Sequence, residues 1–218
     1  MKNEILQKAL RYFFKHGIRK MSNDKLVEQL GISTKTLYKY FKNKEELLEE
    51  ALNYYYTQQY EALKKMPADQ SAACLLFDLW YEAIVAGHKI NTLFYKDLHY
   101  YYPELGERSE VAVIKKFSEQ FLLIIQRGLD ESSFRKEIIP EVALENIFVQ
   151  YEAIARLERF KRFHLSPNII FLNTIAHYIR GFCSQKGIEE LDEHIQTHLL
   201  SLNHKKSTKN ALKAQLPS

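Results

Sequence analysis

Apolar residues recur along the chain at three- and four-residue spacing, and no long stretch alternates every second residue. That pattern predicts helices throughout. Ile5, Leu6, Ala9, Leu10, Phe13 and Phe14 form one face of a first helix, with Lys8, Arg11 and Lys15 between them. Lys15 and His16 suit the negative end of its dipole, and Gly17 can stop it. Ser22 is a good N-cap for a second helix, with Asp24 in its first turn and Leu26, Val27 and Leu30 on one face. Gly31 follows, and Ser33 can cap a third helix carrying Leu37 and Phe41 inward. Asn43, with Glu46 three residues on, reads as the capped start of a fourth helix that runs through Leu47, Leu48, Leu52, Tyr55, Tyr56 and Leu63 and ends before Pro67. Further helices are predicted near 70–87, 90–101, 106–129, 140–163, 166–186 and 188–202. Their breaks are Gly87, Pro103, Gly128 to Phe134, Pro140, Ser166-Pro167 and Gly187. The fold class is all-α: a three-helix head at 1–48, a larger helical body at 49–203 and a polar, disordered tail at 204–218. With no linker visible, the fourth helix is expected to join head and body rigidly.

Composition narrows this only a little. An apolar fraction of 46% with 27% charged residues is ordinary for a soluble globular chain. Only 7 Gly and 5 Pro among 218 residues agree with long helices. Cys74 and Cys183 have no metal-binding spacing and are expected as reduced thiols in a cytoplasmic protein. The densest apolar run, residues 121–125, is far too short to cross a membrane.

Charge changes the picture more. Residues 1–44 carry 11 Lys and Arg against 3 Asp and Glu, whereas residues 45–203 carry 16 against 24. A basic head on an acidic body is expected where one end alone meets nucleic acid.

The stretch 22–41 carries the chemistry. It predicts two short helices joined by a tight turn, in which Gly31 supplies a left-handed backbone state. Leu26, Leu30, Ile32 and Leu37 make the small core that sets the crossing angle. The second helix of the pair then shows Thr34, Lys35, Thr36, Lys39 and Tyr40 outward, and no carboxylate occurs between Glu28 and Glu45. A helix of this kind fits the DNA major groove, with its N-terminal residues at base edges, and its N-terminus at Ser33 and Thr34 suits phosphate oxygens.

In Gly31-Ile32-Ser33, Thr36-Leu37-Tyr38, Tyr40-Phe41 and Asn43-Lys44-Glu45-Glu46-Leu47 the chain resembles the TetR/AcrR family of transcriptional regulators over about residues 5–52. The resemblance implies that Thr34, Lys35 and Thr36 approach bases. It implies that Tyr38, Tyr40 and Lys44 hold phosphates, with Ser22 and Lys25 touching the DNA backbone and Lys39 free to do either. Lys35 stands where the family often has Gly, so base preference is expected to differ. The family also implies a body that binds a small effector and dimerises, here through the helices near 140–163 and 166–186. Within them Ile169, Leu172, Ile175, Ala176, Ile179 and Phe182 form an apolar stripe fit for a partner subunit or for an internal core.

Trp80, Phe94, Tyr95, His99, Phe121 and Tyr151 are the candidate effector wall, and so many aromatics favour an apolar or aromatic ligand. His194 and His198, four apart, could share a metal, but no third ligand is placed by the sequence and both are expected in solvent. No phosphate loop, nucleophile–base pair or cofactor motif occurs, so no catalytic, metal or cofactor residue is assigned. The expected function is a ligand-responsive repressor on double-stranded operator DNA. The alternatives are a DNA-processing enzyme with a helix-turn-helix head, which would need clustered acids, and an architectural protein indifferent to ligand, which would have a filled body.

Overall fold

The computed structural model describes residues 1–65, 69–156 and 159–197, and no β-strand occurs among them. Helix α1 (Lys2–His16) ends where the Gly17 N–H bonds the Phe13 carbonyl at a positive φ of 83°. Helix α2 (Asn23–Leu30) begins at Ser22, whose hydroxyl accepts from the Lys25 N–H, and stops at Gly31 in the left-handed region. Helix α3 (Thr34–Tyr40) is capped by Ser33, which accepts from the Thr36 N–H. Asn43 caps α4 (Lys44–Leu63) by accepting from the Glu46 N–H. The return bond differs from expectation: the Glu46 carboxylate accepts from Lys42 N–H, one residue ahead of the cap.

Ile5, Leu10, Phe13, Leu26, Leu37, Phe41 and Leu48 form the head core. That core also takes in Ala51 and Leu52 of α4, and Phe94 and Leu105 from the body. A division at residue 48 therefore falls inside α4, which is common to both regions.

In the body, α5 (Ala72–Gly87) is buried on nearly every side, as its almost unbroken apolar sequence requires. Around it lie α6 (Thr92–Tyr101), α7 (Pro103–Asp130), α8 (Pro140–Tyr151), α9 (Pro167–Leu172), α10 (Ile175–Phe182) and α11, helical over 185–197. Pro103 starts α7 instead of preceding it, because a proline at the first helical position gives up an N–H that has no partner there.

The predicted helix over 140–163 ends early. After Tyr151 the backbone widens into a π-turn, Glu152–Arg156, and a 3-10 turn follows at Lys161–Phe163. The predicted 166–186 helix is broken at Asn173-Thr174. The Asn173 amide and Thr174 hydroxyl bond the carbonyls of Ile169 and Ile170, competing with the helical ladder.

The expected break between Gly128 and Phe134 is present, with the turn at Ser132, where φ is 60°, after α7 ends at Asp130. Gly187 is not a break; the chain turns instead at Ser184, whose hydroxyl accepts from the Gly187 N–H. Gly128 and Gly187 both lie inside helices where another group presses close, the Phe134 ring on Gly128 and the Ser133 carbonyl on Gly187. The tail at 204–218 and the end of the predicted 188–202 helix lie outside the described residues.

Candidate nucleic-acid interface and aromatic cluster

Helix α3 owes its position to α2 and to the head core. Leu37 is its buried anchor, and Gly31 lets the chain reverse between the two helices. Thr34, Lys35 and Lys39 stand exposed. Thr36 is half-buried, and its hydroxyl shares a 2.8 Å hydrogen bond with that of Ser33. Tyr38 is 47% exposed, and its hydroxyl accepts a 2.8 Å bond from the Asn23 side-chain amide. That bond leaves the phenolic proton free to donate outward. Asn23 has no mark in the sequence beyond opening α2; only the packing of α2 on α3 puts it beside Tyr38. Ser22 and Lys25 are exposed on the same side of the motif, tied by the cap. Tyr40 is half-buried with its hydroxyl on the Met1 sulfur.

Lys44 is placed otherwise than its expected role suggests. Its amine donates a 2.6 Å bond to the Ile18 carbonyl and lies over the Phe13 ring. Burial holds its pKa below the usual lysine value, although the Asp97 carboxylate works the other way.

Head and body meet along α1 and α6. The Asn91 N–H donates to the Phe14 carbonyl at 2.7 Å, and the Arg19 N–H to the Asp97 carboxylate at 2.8 Å. Phe94 sits edge-on to Phe14 at 4.8 Å and is 1% exposed. It therefore belongs to the seam with the head and not to an effector wall. His99 is exposed on the surface of α6 and also leaves the candidate wall.

The other four candidates come together. Trp80 stacks on Phe121 at 4.7 Å and tilts against Tyr151 at 5.8 Å, and its indole N–H is buried with no hydrogen-bond partner. Tyr95 lies under the Arg156 guanidinium, which pairs with Glu110. Tyr55 and Tyr56 of α4 complete the group, their rings 5.3 Å apart. Burial raises the pKa of Tyr55, Tyr56, Tyr95 and Tyr151, so all four hydroxyls keep their protons. For Arg156, burial disfavours the cation, but the hydrogen-bonded Glu110 carboxylate more than offsets this and lifts its pKa above the ordinary value.

Sequence reading missed Tyr55, Tyr56, Glu110 and Arg156. Both tyrosines fall on the apolar stripe of the fourth helix, and nothing local marks Arg156 as facing inward.

The cysteines are free and buried, and burial pushes the Cys183 thiol up to about 12. His194 is not simply solvated: its ring bonds the Asp78 carboxylate at 2.7 Å, tying α11 to α5. His198 lies outside the described residues. Among the described residues no three His, Cys, Asp or Glu side chains gather as a metal set, and no helix is long and apolar enough to cross a membrane.

Residues 5–51 match the model of the bacterial regulatory proteins of the tetR family. No curated protein sequence matches the chain. Among solved structures, it is similar to a TetR-family transcriptional regulator from Cytophaga hutchinsonii, with a TM-score of 0.67 and 16% identity over 84% of this chain and 95% of that one. It is similar also to reduced NemR of E. coli, with a TM-score of 0.68 and 12% identity over 84% and 96% of the two chains. The fatty acid degradation regulator FadR from Bacillus halodurans superposes with a TM-score of 0.63 and 16% identity over 82% and 93%. At such identities the likeness shows a shared fold, and the family rests on the head motif. With that motif matched in sequence and its capped, carboxylate-free reading helix in place, residues 5–51 form a DNA-binding head of the tetR family type, on a chain with the fold of TetR-family transcriptional regulators.

Proposed function

We propose that this regulator works as a homodimeric repressor that a small effector releases from operator DNA. The observation that carries the reading is the surface of α3: Thr34, Lys35 and Lys39 exposed on a helix capped by Ser33 and packed beside α2, which Ser22 caps. In this reading residues 1–48 act as the DNA-binding head and the rest of the described chain as the sensing and dimerising body. Thr34 and Lys35 reach base edges, with Ser33 and Thr36 framing that turn. Tyr38, Lys39, Lys25 and Ser22 contact phosphates, and Tyr40 lines the same edge. Lys44 contributes mainly by holding α4 against the loop before α2.

One short helix reads few base pairs, so two copies spaced about 34 Å apart are needed. The expected stripe on the last helices is a poor candidate for that contact, since Ile175, Ala176, Ile179 and Phe182 fill the chain's own core. Val142 and Val149, seven residues apart on one face of α8 and 61% and 57% exposed, with Ile139 beside them and Ile169 on α9, are the better dimer surface.

Release follows from linkage. An effector that binds one setting of α4 and α6 better than another shifts α1 through Phe14, which touches both Phe94 and Tyr55. Fluorescence anisotropy with DNA from upstream of the chain's own gene tests the reading. Binding should weaken steeply as salt rises. No preference for that DNA over unrelated duplex would overturn it.

A further inference from the structure

We propose that the space among α4, α6 and the π-turn after α8 binds a small organic acid, its anionic head on Arg156 and its aromatic or alkyl body against Trp80, Tyr56 and Tyr95. The inference rests on the effector reading above and gives the effector its chemistry.

The rings of Tyr55, Tyr56, Tyr95 and Tyr151 are all removed from bulk water, enough for burial to raise their pKa values. Each nevertheless keeps part of its surface uncovered by protein. That uncovered surface is where a ligand would lie against the rings. Among the described residues the hydroxyls of Tyr56, Tyr95 and Tyr151 make no hydrogen bond. The Arg156 Nε–H and the Trp80 indole N–H are buried without a partner. This is a surplus of donors around an apolar wall, and leaving buried donors unmet is costly. The acceptor at hand is Glu110, whose side chain is 46% exposed at the rim of the cluster and reaches Arg156 from outside.

An incoming carboxylate can take the guanidinium in place of Glu110, accepting two parallel N–H bonds. The protonated tyrosines then supply further donors to its oxygens. The π-turn matters because it delivers Arg156: a regular helix continuing from α8 would carry residue 156 to a different side of the helix axis. A cation would meet aromatic faces here, but it would also meet Arg156.

Isothermal titration of the full chain without DNA tests this, using decanoate and 4-phenylbutyrate, their primary amides, and the trimethylammonium counterpart of the phenyl compound. The acids should bind at least about tenfold more tightly than the amides, as charge-assisted bonds to a partly buried guanidinium allow. Arg156→Gln should abolish that preference, with thermal unfolding as the check on its fold. Glu110→Gln, at the exposed rim, should tighten acid binding by removing the competing carboxylate, and it decides the matter if Arg156→Gln does not fold. Amide or ammonium binding as tight as the acid, absence of binding by every probe, or weaker acid binding by Glu110→Gln would each overturn the proposal. The two readings fail separately. An acid that binds without altering operator affinity sinks effector release and leaves the site standing. A neutral compound that binds this cluster as tightly as the acids and frees the DNA does the reverse.

Discussion

The reading face of the head and the aromatic cluster of the body are both built on short-range helical geometry, but they are assembled in opposite ways. The head face is cationic and solvated, and its frame is set by caps and anchors within a few positions along the chain: Ser33 for Thr36, Gly31 for the turn, Leu37 for the helix. The body cluster lies largely inside the fold, and its members arrive from α4, α5, α6, α7, the end of α8 and the π-turn after it. Its side chains carry the packing of the body as well as any ligand. A change in the head face should therefore alter binding without touching stability, and a change in the cluster should alter both.

The largest expected effect lies in the cluster. Trp80→Ala removes a ring that is 2% exposed and stacked between others, and should cost about 3–5 kcal/mol in chemical denaturation. Next comes the proposed dimer face. Val142→Asp with Val149→Asp should leave a folded monomer by sedimentation and lower operator affinity by on the order of a hundredfold, since two-site binding is lost. Lys44→Ala lies on the border between the two kinds of region. It strips a partner from the Ile18 carbonyl in the head and should destabilise by about 1–3 kcal/mol, whereas Lys39→Ala should only reduce the salt slope of DNA binding by about one. Smallest in stability is Lys35→Ala, within about 0.5 kcal/mol of wild type in denaturation, yet it should change which bases are preferred in a randomised-site selection.

Much of the head was legible because its signals are local. Ser22, Ser33 and Asn43 cap the helices they were expected to cap, and Leu26, Leu30 and Leu37 are buried as their spacing required. The body was legible as helices but not as contacts. Phe94 and Trp80 look alike as aromatics in a helical stripe, and only the docking of α6 on α1 sends Phe94 to the seam while Trp80 goes to the cluster. Gly187 read as a stop, yet it serves as a gap for the Ser133 carbonyl from a distant loop. The stripe from Ile169 to Phe182 fitted an interface or a core equally well. Burial within one chain placed four of its residues in the core and left Ile169 outside.

What the sequence by itself determined is the identity of the head and the helical character of the whole, since caps, glycine turns and three-to-four spacing act through bonds and contacts a few residues long. Which side chains face one another inside the body was decided only by tertiary structure. Arg156 faces Tyr95 because α8 ends in a π-turn beside α6, and Lys44 spends its charge on a carbonyl because α4 packs against the loop after α1. Such pairings depend on how helices pack across long loops, where many registers satisfy the same apolar pattern and only the assembled core selects one.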